Sequence, residues 1–292
     1  MITRSFDLPP GHYDVTVRLG GGSAVFAQAR RLMVAPCPEA GTHGFTVNVR
    51  HPEGQQNAFH GHGRHGLHLA FTGSFSELEV APAAGHVRLF LAGDSTVTDQ
   101  EHAPFTGWGQ RLTRHFGRGV SVVNHSGSGE SAASFLAKPE LWAAMEPQVR
   151  PGDVVLVQFG HNDKRTTARS FRASLTEIVR NVQDRGATPV LVTPMVRRGL
   201  GPAGLHVNEA GADLPAVMRE LAERLIDLTR LSRELVEELG PDASQDLYLT
   251  REEADDTHTS DYGATVFADL VAAELRSLDL MATPHWKVSP CD

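Results

Sequence analysis

The 292-residue sequence predicts an α/β protein: a doubly wound parallel sheet preceded by a small antiparallel β-sandwich. Three observations carry this expectation. Up to residue 84, apolar residues alternate with polar ones in short runs separated by Gly, Pro and Ser clusters, the mark of antiparallel strands with one buried face. From residue 86 onward, nearly unbroken apolar runs alternate with segments of helical period, the mark of strands buried on both faces and joined by helices. Between the two patterns, Pro82-Ala83-Ala84-Gly85 reads as a hinge. The expected units are therefore residues 1–84, an accessory sandwich, and residues 86–282.

Taken in order, Tyr13, Val15, Val17 and Leu19 form the first alternating run, ended by Gly20-Gly21-Gly22. Phe45, Val47 and Val49 form another, followed by Leu67, Leu69 and Phe71, then Leu78 and Val80. Val87 to Leu91 opens the second unit as a strand. A helix is expected over residues 107–117, with Trp108, Leu112 and Phe116 on one face. Val120 to Val123 and Val154 to Phe159 are further strands. Phe171, Leu175, Ile178 and Val182 then share a helix face, closed by Gly186 as the residue after the C-cap. Val190 to Pro194 is a fourth strand, and the glycine-rich residues 196–213 read as a long loop. Residues 214–239 fit one helix or two around a short strand at Leu225-Ile226-Asp227-Leu228; the βα alternation favours two, with Thr229 as a cap and Gly240 as the end. A last helix from about Ala264 buries Phe267, Val271, Leu275 and Leu278.

Composition narrows the function. Hydrophobic residues make up 40% and charged residues 21%, ordinary for a globular chain with a real core. The net charge is −8 and no Lys/Arg run stands out, which argues against a nucleic-acid partner. No run reaches transmembrane length, so no membrane partner is expected. The first residues lack an apolar signal segment, and the expectation is a cytoplasmic location. The 2 cysteines, Cys37 and Cys291, are far apart and give no disulfide framework or Cys-x-x-Cys motif. Oligomeric state is not readable.

In doubly wound sheets, chemistry collects beyond the carboxyl ends of the strands. Leu89-Phe90-Leu91-Ala92-Gly93-Asp94-Ser95-Thr96 alone reads as a strand ending in a turn. Reading the other strand ends changes that. They carry Asn124-His125-Ser126-Gly127-Ser128-Gly129, Gly160-His161-Asn162-Asp163 and, before the last helix, Asp255-Asp256-Thr257-His258. Together these supply the parts of an acyl-transfer site. Ser95 is the candidate nucleophile, and His258 the candidate base. Asp255 lies within reach of the imidazole's other nitrogen, with Asp256 a competitor for that place. The Gly129 N–H and the Asn162 amide are candidate oxyanion donors, together with the N–H of Ser95. Asp94, His161 and His125 adjoin the blocks and are expected to shape them without carrying protons.

These four blocks, in this order, resemble the SGNH (GDSL-type) hydrolase superfamily. Gly93-Asp94-Ser95, Gly129, Gly160-His161-Asn162-Asp163 and Asp255-x-x-His258 match its pattern, over roughly residues 88–278. Gly93-Asp94-Ser95-Thr96, Gly107-Trp108-Gly109 and Gln158-Phe159-Gly160-His161-Asn162-Asp163 are similar to rhamnogalacturonan acetylesterases. The resemblance implies a three-layer α/β/α flavodoxin-like fold. It also implies a metal-free, cofactor-independent serine esterase that removes O-acetyl groups from plant cell-wall oligosaccharides. It favours Asp255 over Asp256 as the orienter. The chain departs from it at Asn124-His125-Ser126, where the family often has Asn-x-Ala, and in lacking the opening strands expected of the sandwich.

Other features are weaker. His60, His62, His65 and His68 form a tract of the kind that binds metal, yet no Cys or carboxylate completes a standard spacing, so no metal is expected. Arg197 and Arg198 follow the fourth strand, where a guanidinium could bind a uronate carboxylate; solvated or locally paired arginines are the simpler reading. The absence of a Gly-x-Ser-x-Gly elbow, a Walker loop and His-Glu-x-x-His argues against α/β-hydrolase, nucleotide-cleaving and zinc-protease chemistry. A lipase or thioesterase acting on another acyl group, an acetylxylan esterase and, outside enzymes, a carbohydrate-binding protein remain the alternatives. Residues 1–84 hold no Trp and only Tyr13, so no aromatic sugar platform is evident there.

Overall fold

The computed structural model describes residues 1–50, 64–199, 207–281 and 285–287. Seven strands make up its first part: β1 (Ile2–Phe6), β2 (Gly11–Leu19), β3 (Ala24–Ala27), β4 (Arg31–Val34), β5 (Gly41–Val49), β6 (Leu67–Thr72) and β7 (Phe75–Pro82). They form two antiparallel sheets, ordered β1-β6-β3-β4 and β5-β2-β7. The period-two pattern does what it should: Val15, Val17, Phe45 and Val47 of one sheet meet Val25, Leu67, Leu69 and Phe71 of the other in one core. β1, β3 and β4 were not evident in the sequence. β1 pairs with β6 in register from Ile2↔Phe71 to Phe6↔Leu67, so an opening strand is present after all. Its residues are mostly exposed, and an edge strand needs no apolar alternation.

The second part contains β8 (Val87–Gly93), α1 (Trp108–Leu112), β9 (Val120–Asn124), α2 (Ala132–Ala137), α3 (Trp142–Met145), β10 (Val154–Gln158), α4 (Ala168–Asp184), β11 (Thr188–Val192), α5 (Leu214–Leu221), β12 (Leu225–Ile226), α6 (Leu228–Ala243), β13 (Tyr248–Leu249), α7 (Thr250–Glu253), β14 (Asp255–Thr259) and α8 (Asp261–Ser277). Five strands form one parallel sheet, ordered β12-β11-β10-β8-β9. Alternation sends Leu89, Leu91 and Leu156 to one face, against Phe267, Val271 and Leu275 of α8. It sends Phe90, Ala92, Val155 and Val157 to the other, against Phe171, Leu175, Ile178 and Val182 of α4. The fold is the three-layer α/β/α arrangement, preceded by antiparallel sheets.

Local differences from the sequence reading have physical causes. The helix expected over 107–117 is only five residues long and tightens into a 3₁₀ turn at Thr113–His115. Residues 214–239 do break at β12, but the cap of α6 is Asp227, whose carboxylate accepts from the Arg230 N–H. Thr229 instead donates its hydroxyl to the Pro194 carbonyl at 2.5 Å. Helix α8 starts at Asp261 with Ser260 as cap, earlier than its apolar period suggests. Cys37 is buried and disulfide-bonded, which the spacing of the cysteines did not predict.

The sandwich grips the α/β part through polar contacts. Between β3 and β4, Gln28 and Arg30 take left-handed φ values of 53° and 60°, which turns this hairpin toward α1. Gln110 donates to the Ala29 carbonyl, Arg111 to that of Arg30 at 2.7 Å and Thr113 to that of Leu32 at 2.7 Å. Arg31 crosses the junction to Asp99, with Nε 2.7 Å from Oδ2 and both side chains buried. These contacts reach the loop that follows Ser95.

Candidate active site

Ser95 lies just past the carboxyl end of β8. The turn needs glycine at its start, because a Cβ on Gly93 would lie 2.7 Å from Val97 Cγ2 and 3.0 Å from the Gln158 carbonyl. Asp94 then shapes the turn: Oδ1 accepts from Thr96 N–H at 2.9 Å and from its hydroxyl at 2.8 Å, while Oδ2 lies 3.1 Å from His161 Nδ1. Burial pushes the Asp94 carboxyl up, but the charge and hydrogen bond of His161 and the bonds from Thr96 hold it below the usual carboxylate range. His161 Nε2 donates to the Met195 carbonyl at 2.8 Å. Gln158 ties the turn down from the other side, donating to Thr96 Oγ1 at 2.7 Å and accepting from Trp108 Nε1 at 3.0 Å. Asp94 and His161 thus bond to each other, to Thr96 and to the Met195 carbonyl.

His258 arrives on β14, where the sequence predicts only the segment that precedes the last helix. Its partner β13 aligns Tyr248 with Thr259 and Leu249 with Asp255, and Ala254 enters the strand at a left-handed φ of 53°. The Asp255 carboxylate closes on its own strand: Oδ1 accepts from the N–H groups of Thr257 at 2.8 Å and His258 at 2.9 Å, and Oδ2 from His258 Nδ1 at 2.6 Å. Burial raises the Asp255 pKa, and these bonds outweigh it, keeping the carboxyl below its ordinary value. With Nδ1–H committed to Asp255, His258 presents Nε2 to the Ser95 hydroxyl 2.9 Å away. Phe105 packs edge-on against the His258 ring, centroids 5.4 Å apart at 81°. Asp256 faces elsewhere, accepting from Arg198 Nη1 at 3.0 Å and Thr250 Oγ1 at 2.6 Å. Of the two aspartates, Asp255 is the one whose carboxylate meets the His258 ring.

The proposed oxyanion donors sit on the neighbouring strand ends. Gly129 follows β9 at φ 79°, and a Cβ there would meet nothing within 4 Å, so its backbone borders open space. The Ser95 and Gly129 N–H groups have no acceptor among the described residues. Asn162 donates one amide hydrogen to the Glu130 carbonyl at 3.1 Å, which fixes its plane and leaves a second hydrogen to give. Arg197 is partly buried and donates to the His161 carbonyl at 2.7 Å, beside Asn162; its Nε has no partner among the described residues. Arg198 is engaged by Asp256, by Ser244 Oγ at 3.3 Å and by the Pro241 carbonyl at 2.7 Å. The structure thus brings Ser95, His258 and Asp255 into one hydrogen-bonded line and leaves Arg198 bracing the loop of Asp256. His125 is buried, and burial together with the charges of Arg50 and Arg31 lowers its pKa well below its ordinary value.

Asp163, the last residue of the third block, is wholly buried and its Oδ1 has no partner among the described residues. Burial raises its pKa to about 6, partly offset by the Ala132 N–H, with Asp94 adding repulsion. A carboxyl whose folded pKa is raised binds more protons folded than unfolded, so its contribution to stability falls as pH rises from about 4 to about 6. Asp163→Asn should therefore be at least as stable as the parent at pH 7.5, with a flatter stability profile between pH 4 and 6.5, read by thermal melts. A variant whose melting temperature falls between pH 5 and pH 7.5 by as much as the parent's would contradict this.

Of the histidine tract, His60 and His62 lie outside the described residues. His68 is held locally, with Nδ1 2.9 Å from Ser5 Oγ and Nε2 2.7 Å from the His65 carbonyl. Among the described residues no group of three or more His, Cys, Asp or Glu is placed to hold a metal, and no helix is long and apolar enough to cross a membrane.

A serine, histidine and aspartate aligned at the carboxyl edge of a five-stranded parallel sheet, with backbone and amide donors around them, define a serine hydrolase site. Residues 91–266 match the GDSL-like Lipase/Acylhydrolase family, and the chain belongs to that family. It is a carboxylic ester hydrolase of the SGNH type. Rhamnogalacturonan acetylesterase RhgT of Bacillus subtilis (strain 168) is 35% identical over 219 residues, covering 68% of this chain and 94% of that protein. The uncharacterized esterase YxiM of the same organism is 28% identical over 291 residues, 94% of this chain and 74% of that protein. The crystal structure of YxiM superposes with a TM-score of 0.62 at 24% identity, over 95% of this chain and 80% of that one, so the likeness of fold includes the antiparallel sheets.

Two supports of the site escaped the sequence reading. Phe105 lies in an irregular segment with no periodicity to mark it. Arg31 follows Arg30 and precedes Leu32-Met33-Val34, and its partner Asp99 is 68 residues away. A pair of arginines at the start of an apolar run was the only available signal.

Proposed function

We propose that this esterase removes O-acetyl groups from plant cell-wall carbohydrate of the rhamnogalacturonan or pectin type, through an acetyl-enzyme on Ser95. The observation that carries the reading is the unbroken line from Ser95 Oγ to His258 Nε2 at 2.9 Å and from His258 Nδ1 to Asp255 Oδ2 at 2.6 Å. In this reading Ser95 attacks the acetyl carbonyl while His258 takes its proton, and the Asp255 carboxylate stabilises the imidazolium. The N–H groups of Ser95 and Gly129 and the Asn162 amide receive the oxyanion. Collapse breaks the ester bond, and His258 returns the proton to the departing sugar hydroxyl. Water, deprotonated by His258, then attacks the acetyl group and releases acetate from Ser95. The direct experiment measures acetate release from a panel of acetylated pectic and xylan oligosaccharides. A preference for the pectic members supports the reading; a preference for acetylated xylan would replace it with the acetylxylan alternative.

The kinship with RhgT supports the substrate class, and the small polar residues around Ser95 support a short acyl group over a lipid chain. A chain-length series of aryl esters should fall sharply beyond acetate; a maximum at longer chains would favour the lipase reading. Arg197 is the residue we assign to a uronate carboxylate, since its guanidinium stands beside Asn162. Arg197→Ala should raise KM for galacturonate-containing substrates on the order of tenfold while sparing a small aryl acetate. Equal effects on both would remove that assignment. Arg198 is not carried into the proposal, because its three nitrogens are bound within the fold.

In the same reading residues 86–282 perform the chemistry and residues 1–84 brace it. A cytoplasmic location is not carried forward either: Cys37 is disulfide-bonded, and such bonds persist mainly in oxidising compartments.

A further inference from the structure

At the end of the parallel sheet opposite Ser95, the amino ends of β8 and β10 face β2 and β5 across a cavity of about 620 Å³. That is the size of a small-molecule site, within the roughly 300–1,000 Å³ such sites occupy. Its wall carries His12, Arg50, His86, Arg88 and Arg150 against one carboxylate, Asp153. In a chain of net charge −8, this concentration of basic groups is local and unusual.

The one carboxylate is already engaged. Arg88 holds Asp153 through two bonds of 2.9 and 2.5 Å, and the Arg150 main-chain N–H donates to Asp153 Oδ2 at 2.8 Å. The Arg150 guanidinium makes no ion pair or hydrogen bond among the described residues. Across from it, the rings of His12 and His86 lie 4.3 Å apart, with His12 Nδ1 2.8 Å from Ser121 Oγ. His86 Nδ1 is buried without a partner among the described residues, a polar atom with nothing to bond. Burial first, then the charges of His86, Arg88 and Arg150, lower the His12 pKa to about 4; burial and Arg88 lower that of His86 against the charges of Asp14 and Asp153. Such a pocket repels a cation and leaves donors waiting for an acceptor.

We propose that this cavity is a second ligand site, which binds the oxyanion of a carboxylate- or phosphate-bearing small molecule between Arg150 and His86. The ligand would bridge the two parts of the chain, since His12 comes from β2 and Arg150 and His86 from the α/β side. The site stands apart from the ester reaction and does not depend on the substrate assigned above.

Calorimetric titration of the full chain at fixed ionic strength tests it, with inorganic phosphate, digalacturonate and neutral galactobiose as probes. Saturable binding of phosphate or digalacturonate, and none of galactobiose, is expected; which anion binds identifies the source of the oxyanion. Arg150 is exposed, so Arg150→Ala should fold normally, checked by circular dichroism, and weaken that binding about tenfold or more. Arg150→Lys should restore part of it, and turnover of a small aryl acetate should be unchanged in both variants. The His86 imidazole resonances should move with anion and not with galactobiose. Binding of neither anion, or equal affinity in the parent and Arg150→Ala, would overturn the proposal.

Discussion

Ser95→Ala should lower kcat on an aryl acetate by on the order of 10⁴- to 10⁶-fold while leaving KM and thermal stability close to those of the parent. The separation of the two effects follows from the structure. The Ser95 hydroxyl bonds only to His258 Nε2 among the described residues, and the turn that carries it is held by Asp94, Thr96 and Gln158. Removing one oxygen therefore takes away the proposed nucleophile and leaves its support intact. Residual hydrolysis above the uncatalysed rate is expected, because the oxyanion donors and the substrate contacts remain. A Ser95→Ala enzyme within tenfold of the parent would mean that another group attacks the ester.

The second large effect is on the whole protein. Arg31→Ala should destabilise it by about 3–5 kcal/mol, because it leaves the Asp99 carboxylate buried without its counter-ion. A drop on the order of 10 °C in melting temperature corresponds to that loss. Arg31 and Asp99 are 1% and 2% exposed, so water cannot replace the missing guanidinium. The effect should also reach catalysis. Asp99 Oδ1 accepts from Asn124 Nδ2 at 3.0 Å, and the same amide donates to the Val97 carbonyl at 2.9 Å, two residues beyond Ser95. Arg30, next along the hairpin, donates to the Phe105 carbonyl at 2.8 Å, and Phe105 packs on His258. Pairing the change with Asp99→Asn should recover much of the stability, since no buried charge is then left alone. Equal melting temperatures for the parent and Arg31→Ala would show that the junction contributes nothing to the fold.

What the sequence revealed and what it hid follow one physical distinction. Strands buried on both faces, such as Val154 to Gln158, and the stripe Phe171, Leu175, Ile178 and Val182 advertise themselves through periodicity. The residues brought together at Ser95 were legible because each follows a strand or precedes a helix, where polar clusters stand out against apolar runs. β14 was missed because Asp-Asp-Thr-His-Thr has no apolar alternation; its pairing to β13 and the Asp255 carboxylate's bonds to its own strand hold it extended. Thr229 misled as a cap because Asp227, two residues earlier, offers a carboxylate to the same helix start. The support from the sandwich was hidden for a different reason. Arg30 and Arg31 act on Phe105 and Asp99, residues about seventy positions away, and nothing local in either stretch records the other.

The central claim, that Ser95 carries the acetyl group between sugar and water, is tested most directly by mass spectrometry of protein acid-quenched during turnover of an aryl acetate. One acetyl group on the peptide containing Ser95, absent from Ser95→Ala and blocked by prior fluorophosphonate labelling, is the predicted result. An acetyl group on another residue, or turnover that survives full fluorophosphonate labelling of Ser95, would contradict it.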